Sequence, residues 1–350
     1  MRIGIPREIK TLEGRVALIP EAAAELLRHG HEVFIEHQAG LASGYSDADY
    51  QALGMTVLPD AKALHESIEM IVKVKEPQPE ELALYRDDQI LFSYLHLAAE
   101  PALTKRLCEI GITGVAFETI AEHGQLPLLA PMSDVAGRIA AMTGAQLLTR
   151  PAGGKGVLLG GLPAAERGRV VILGAGVAGK NAALIAASLG AQVTVFDINR
   201  DKLEEMRAIG PNVTALYAFK HAIAEHVEQC DLLIGAVLIP GAKAPHLVSA
   251  ETVKKMAPGS VIIDISVDQG GCIETTRPTG YDNPTFLWEG VVHYGVTNMP
   301  GAVPRSASQA LSSALIPYVL RLAKSDWKQD EVLLSGVNVQ SGKVVHPALL

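Results

Sequence analysis

Three cysteines in 350 residues, Cys108, Cys230 and Cys272, are too few, odd in number and too widely spaced for a disulfide framework, and they fit a reducing compartment. Long apolar runs are missing as well. The longest stretch without a charge, residues 181–196, has 16 residues and includes Asn, Ser, Gly, Gln and Thr, against the roughly 20 apolar residues of a membrane-spanning helix. Arg2, Pro6, Arg7, Glu8 and Lys10 interrupt the apolar residues of the N-terminus, so no secretory signal is expected. There is no basic excess: 30 Lys+Arg against 38 Asp+Glu give a net charge of −8, which argues against a general nucleic-acid partner. No His, Cys and Asp group has metal-ligand spacing, so no metal is expected, and there is no fixed-period repeat or low-complexity tract. These absences imply a cytoplasmic protein without a membrane partner.

The chain is rich in core-forming residues, 48% hydrophobic against 19% charged, which excludes a disordered chain. At roughly 150 residues per domain its length suggests two domains. Short apolar, β-branched runs alternate with helical patterns, the mark of parallel strands joined by helical crossovers. Strands are expected at residues 2–5, 32–35, 70–74, 90–94 and 114–117, then at 170–173, 193–196, 232–236 and 261–264. Pro20 opens a helix with Ala22, Ala23, Leu26 and Leu27 at helical spacing, and Gly30 is placed to end it. A last helix, residues 306–324, follows once the second set of strands is used up, and is expected to return to the first domain. The fold class is therefore α/β, two Rossmann-like domains with mainly parallel sheets and the active site in the cleft between them. Residues 1–127 with 304–350 form one domain, and 128–303 the other.

The strongest local signal is Val170-Val171-Ile172-Leu173 followed by Gly174-Ala175-Gly176-Val177-Ala178-Gly179 and a helical pattern. Asp197 ends the next strand 18 residues after Gly179. In a dinucleotide fingerprint Gly174 permits the tight turn, Gly176 lets the backbone approach a pyrophosphate, and Gly179 lets helix and strand pack closely. The helix N-terminus then faces the phosphates. Asp197 suits a ribose 2′-hydroxyl and repels a 2′-phosphate, which favours NAD over NADP, a preference that nearby Arg200 weakens. The competing reading, a merely structural turn, does not account for strand, glycines, helix and acid in register.

Further motifs run in order along the chain. They are Gly4-Ile5-Pro6-Arg7-Glu8 with Gly14-Arg15-Val16-Ala17, then Val74-Lys75-Glu76-Pro77, Leu95-His96-Leu97-Ala98 and Ala130-Pro131-Met132-Ser133. Asp268-Gln269-Gly270-Gly271-Cys272 and Asn298-Met299-Pro300-Gly301-Ala302-Val303-Pro304 follow. Together they resemble the alanine dehydrogenase family, whose superfamily includes the NAD(H)-binding subunit of transhydrogenase. The resemblance implies reversible NAD-dependent oxidative deamination of L-alanine to pyruvate and ammonia, with a homo-oligomer, a hexamer, as the assembly. Alternative readings are a non-catalytic transhydrogenase-like NAD(H)-binding subunit and a dehydrogenase of another small amino acid.

Such chemistry needs a proton shuttle and a carboxylate anchor. His96 follows an apolar strand at the edge where open α/β sheets bind ligands, and an imidazole both accepts and gives protons near neutrality. A satisfied structural histidine is the bland alternative. Arg15 offers a planar fork for a carboxylate and Lys75 a point charge, where surface ion pairs are the alternative use. By resemblance both cations bind substrate, and Asp268 assists the carbinolamine steps; a turn-forming aspartate before Gly-Gly is the plainer reading. The resemblance also assigns cofactor contacts to Ser133, Gly174, Gly176, Val177, Ala178, Gly179, Asp197, Lys202, Val237, Leu238, Ile265, Asp268, Arg277, Asn298 and Met299. Ser133 is expected to cap a helix starting at Asp134, and Met132 with Leu129 to wall off larger side chains.

Three features depart from the family pattern. Ala218 or Phe219 stands where a hydroxyl residue is usual, Gly295 and Thr297 replace Cys and Ala, with Gly295 expected to loosen its loop, and the tail after Trp327 is short.

Overall fold

The computed structural model describes residues 1–237 and 244–350. The chain forms two compact units, Met1–Met132 with Gly301–Leu350, and Ser133–Pro300. It passes from one to the other inside helix Ala130–Leu147. Ser133 therefore sits inside the first turn of a helix that begins at Ala130, and does not cap one that begins at Asp134.

In the first unit, β1 (Arg2–Ile5), β2 (Glu32–Glu36), β3 (Thr56–Leu58), β4 (Met70–Val72), β5 (Ile90–Ser93) and β6 (Thr113–Ala116) form a parallel sheet in the order β6-β5-β4-β1-β2-β3. In the second, β7 (Arg169–Leu173), β8 (Gln192–Asp197), β9 (Val213–Tyr217), β10 (Leu232–Gly235) and β11 (Val261–Asp264) do the same in the order β11-β10-β7-β8-β9. The second sheet ends in β13 (Val291–Tyr294), parallel to β11, and β12 (Thr285–Trp288), antiparallel to β13. The first sheet is completed by β14 (Val337–Gln340), antiparallel to β6, and β15 (Lys343–Val344). The terminal segment thus supplies strands as well as the returning helix.

The expected strands are present, though the regular part of β4 stops at Val72 and that of β5 at Ser93. Strands buried on both faces read as continuous apolar runs because helices cover the sheet on each side. Helix Pro20–Arg28 starts with proline at its first position and ends before Gly30 at φ +82°. The returning helix, Pro304–Leu322, buries Leu311, Leu315 and Leu322 in the core of the first sheet. In both sheets the strand order reverses beside the first strand, β1 or β7. Loops from neighbouring strands diverge there and leave room for a ligand.

Candidate active site

In the first unit, three loops leave the carboxyl ends of the adjacent strands β1, β4 and β5, and carry Arg15, Lys75 and His96. Arg15 is 2% exposed. A guanidinium withdrawn this far from water needs a partner. Glu13 supplies one: its Oε1 accepts from Nε at 2.7 Å and its Oε2 from an Nη at 2.5 Å, while the other Nη lies 3.0 Å from the Met132 sulfur. Burial works against the charge, but the hydrogen bonds and charge of Glu13 outweigh it and hold Arg15 above its ordinary pKa. Met132 therefore touches the cation as well as the apolar core, and Leu129 packs against the same core.

Lys75 is mostly buried, with Nζ 3.4 Å from Glu76. Glu76 also pairs with Lys10. Although burial alone would raise it, the charges of Lys75 and Lys10 hold the Glu76 carboxyl below its usual range. The Lys75 N–H and that of Val74 both face Glu8, at 3.4 and 2.5 Å. Glu8 lies 3.7 Å from the Lys73 ammonium, which also donates to both oxygens of Glu81 at 2.7 Å. Burial pushes the Glu8 carboxyl up to about 7, against the pull of Lys73. Nothing in the residue pattern separates Lys73 from Lys75; the structure makes Lys73 a buried ion-pair member.

His96 is half-buried and adopts φ +49°. Its ring stacks on Tyr94 with centroids 6.0 Å apart and planes 13° apart. Tyr94 donates its hydroxyl to the Leu128 carbonyl at 2.6 Å. Burial raises the Tyr94 phenol, and neighbouring Arg15 partly offsets this. Arg15, Lys75 and His96 thus lie on loops at the carboxyl ends of three adjacent strands, with Tyr94 stacked on the imidazole and within reach of the Arg15 charge. A cavity of about 270 Å³ opens beside Arg15, lined also by Arg7, Glu8, Glu13 and Gln38; neither Lys75 nor His96 lines it.

In the second unit, Gly174 after β7 has φ +97°, and a Cβ there would lie 2.6 Å from the Ala236 carbonyl oxygen. A Cβ on Gly179 would lie 1.8 Å from the Gly174 oxygen, whereas one on Gly176 would meet nothing within 4 Å. Helix Val177–Ser188 starts at Gly176 with no side-chain cap, with Val177 and Ala178 in its first turn. Open space over the loop and uncapped N–H groups suit a pyrophosphate. Asp197 at the end of β8 accepts the Ala175 N–H at 2.6 Å and the Asn199 N–H at 2.8 Å, so it also shapes the glycine loop. Lys202 is exposed in the next helix, Arg200–Arg207.

Val237 follows β10; Leu238 lies outside the described residues. Ile265 follows β11 and donates its N–H to the Gly235 carbonyl at 2.8 Å. Asp268 is exposed in the turn Val267–Gln269. That turn hangs on Asp264, which accepts from the Ser266 N–H and hydroxyl at 3.1 and 2.8 Å, the Cys272 N–H at 3.0 Å and the Thr276 hydroxyl at 2.9 Å. Burial holds the Asp264 carboxyl above its usual range despite these four donors. The Arg277 guanidinium lies 4.5 Å from the Phe286 ring centroid. Asn298 has φ +57°, and the carbonyl of buried Met299 accepts from the Tyr281 hydroxyl.

Gly295 does not loosen its loop. A Cβ there would stand 2.2 Å from the Arg277 carbonyl oxygen, and its own carbonyl accepts the Thr279 N–H at 2.8 Å, so the glycine is needed for close approach.

Two family models cover almost the whole chain: "Alanine dehydrogenase/PNT, N-terminal domain" over residues 4–136 and "Alanine dehydrogenase/PNT, C-terminal domain" over residues 140–347. The chain belongs to the alanine dehydrogenase/PNT family. The alanine dehydrogenase of Methanococcus maripaludis is 49% identical over all of this chain and 95% of its own length, and that of Bacillus subtilis 48% identical over all of this chain and 94% of its own. A solved L-alanine dehydrogenase superposes with a TM-score of 0.95 at 50% identity, covering 100% of this chain and 98% of the other. A transhydrogenase from Sinorhizobium meliloti reaches 0.86 at 27% identity, covering 99% of this chain and all of the other.

For this member of the family, sequence reasoning missed Glu8, Glu13 and Glu118 in the first unit, the last of which accepts the Leu95 and His96 N–H groups, and Asp264 under the Asp268 turn of the second. It also missed Gly137, where a Cβ would lie 2.1 Å from the Ala178 carbonyl oxygen. Glu13 carried a weak signal in its two-residue spacing from Arg15. The others show only once strand register is known.

Proposed function

We propose that the chain oxidises L-alanine with NAD⁺ and water to pyruvate, ammonium, NADH and a proton, reversibly. The observation that carries this reading is the gathering of Arg15, Lys75 and His96 at the carboxyl ends of β1, β4 and β5. Bound NAD⁺ supplies the hydride acceptor. The residues for it are Gly174, Gly176, Val177, Ala178 and Gly179 at the pyrophosphate, Asp197 at the ribose, and Ser133, Lys202, Val237, Leu238, Ile265, Arg277, Asn298 and Met299 around the rest.

Arg15 and Lys75 anchor the alanine carboxylate, and their fixed charges orient Cα for loss of its hydride. The substrate iminium then takes up water. The substrate ammonium gives up the proton released overall before the hydride leaves. His96 removes a proton from the adding water and returns it to the amine nitrogen, and the carbinolamine hydroxyl proton leaves with the departing ammonia as ammonium. Asp268 assists these proton movements. Met132 and Leu129 limit the side chain to a methyl, with discrimination of roughly 1–3 kcal/mol per extra methylene. The three cysteines are free, which supports a cytoplasmic setting, and the family likeness supports a homo-oligomer, a hexamer, to be read by sedimentation.

The test is turnover of purified protein with NAD⁺ and L-alanine at mildly alkaline pH, followed by NADH absorbance, beside a panel of other small amino acids. Alanine should react fastest, and His96→Ala should lose turnover but still bind NADH. Reaction with another amino acid only would overturn the substrate. NADH binding with no amino-acid turnover would leave a nucleotide-docking module, and near-parental activity in His96→Ala would remove the acid–base assignment.

A further inference from the structure

His96 is held in a backbone conformation that L side chains rarely adopt, φ +49°. Histidine enters this region more often than most side chains but still uncommonly, and the bend needs a group that holds it. Glu118 does so. One of its oxygens accepts the His96 N–H at 2.6 Å and the Leu95 N–H at 3.1 Å, and the other reaches the Leu95 N–H at 3.3 Å.

The strand register explains the meeting. In the parallel pair β5 and β6, Ser93 lies opposite Ala116. Two residues further along, Leu95 comes level with Glu118, which sits in the 3₁₀ turn Phe117–Thr119 after β6. Among the described residues the hydrogen bonds of Glu118 come from these backbone donors, with the His346 ring near enough to feel its charge, and a charged acceptor holds such donors more tightly than a neutral one. The His96 carbonyl accepts the Ala99 N–H at 2.9 Å, which fixes the far side of the bend, and Tyr94 packs against the imidazole.

We propose that Glu118 is a positioning residue that acts through His96, its carboxylate locking the Leu95–His96 backbone in the bend from which the imidazole exchanges protons with substrate. This rests on His96 being the acid–base group of alanine oxidation. A shift of about 1 Å in such a group costs up to ~100-fold in rate.

The variants are Glu118→Ala, Glu118→Asp and Glu118→Gln, each made in the parent and in His96→Ala. In the parent, Glu118→Ala should lower kcat for alanine about 10- to 100-fold and leave NADH affinity unchanged. Glu118→Gln keeps one acceptor oxygen for both N–H groups and should recover most of that loss; Glu118→Asp, which withdraws the acceptor by one methylene, should not. With His96→Ala already in place, none of the three should lower the residual rate further, because no imidazole remains to be placed. Equal losses in the two backgrounds, or full activity in Glu118→Ala, would overturn the inference. If Glu118→Ala does not fold, Glu118→Asp carries the same comparison.

A spectroscopic readout separates this inference from the functional reading. In protein labelled with ¹³C at histidine Cε1, the His96 signal is assigned by its loss in His96→Ala. It should move or broaden in Glu118→Asp and stay in place in Glu118→Gln. An unmoved signal in Glu118→Asp overturns the inference even if the parent fails to oxidise alanine, an outcome that by itself sinks only the assigned reaction.

Discussion

Glu13 grips Arg15 along one edge of the guanidinium, 2.7 Å from Nε and 2.5 Å from an Nη, in a site where the arginine side chain is 2% exposed and that of Glu13 fully buried. One carboxylate thus compensates the cation that is proposed to receive another, that of the substrate.

Removing one member of a buried pair leaves an uncompensated charge, at a cost of about 3–5 kcal/mol. Glu13→Ala should therefore lower the stability of the first unit by that order in urea denaturation and raise the KM for alanine. A loss below about 1 kcal/mol, the range of exposed pairs, would show that water reaches Arg15.

Glu8 makes stability depend on pH. Its carboxyl titrates at 4.5 when unfolded and at about 7 when folded, so the folded protein holds this proton more tightly. The resulting stability is complete below 4.5 and is lost as the pH rises through about 7. Integrated over that shift, the effect is on the order of 3 kcal/mol. Glu8→Gln, uncharged throughout, should be favoured relative to the parent at alkaline pH. Urea midpoints measured for both proteins on either side of the window check this, and a pH-independent difference would return Glu8 to ordinary carboxylate behaviour.

Gly176 and Gly179 should fail in different ways. Space is open at Gly176, so Gly176→Ala should fold like the parent yet weaken NADH binding at least 10-fold, because a methyl would occupy the approach to the pyrophosphate. Gly179→Ala must displace the Gly174 backbone and should lose thermal stability. NADH titration beside thermal denaturation separates the two, and equal binding by Gly176→Ala and the parent would move the phosphates elsewhere.

The central strands were legible because helices bury them on both faces, so β1, β7, β10 and β11 read as unbroken apolar runs. Edge strands were not. β3 and β9 are half-exposed and show mixed patterns. The hairpins β12–β13 and β14–β15 turn on Glu289-Gly290 and Ser341-Gly342, all four at positive φ. Such a pair is the tight two-residue turn that matches strand twist, a signal present in the residues and passed over. Of the candidate site, the residues proposed to touch ligands could be named from motifs. Their supports could not, since Glu118 and His96 are 22 positions apart and meet only through the pairing of β5 with β6.

The closing of the first sheet by β14 sets an order of assembly during synthesis. The unit that carries the glycine loop is complete once Pro300 has left the ribosome. The sheet begun at Arg2 must keep the β6 edge unpaired until Val337–Gln340 emerges. The half of the molecule made first is therefore finished last, and its exposed edge is the place where a nascent chain is open to chaperones or to pairing with a neighbour.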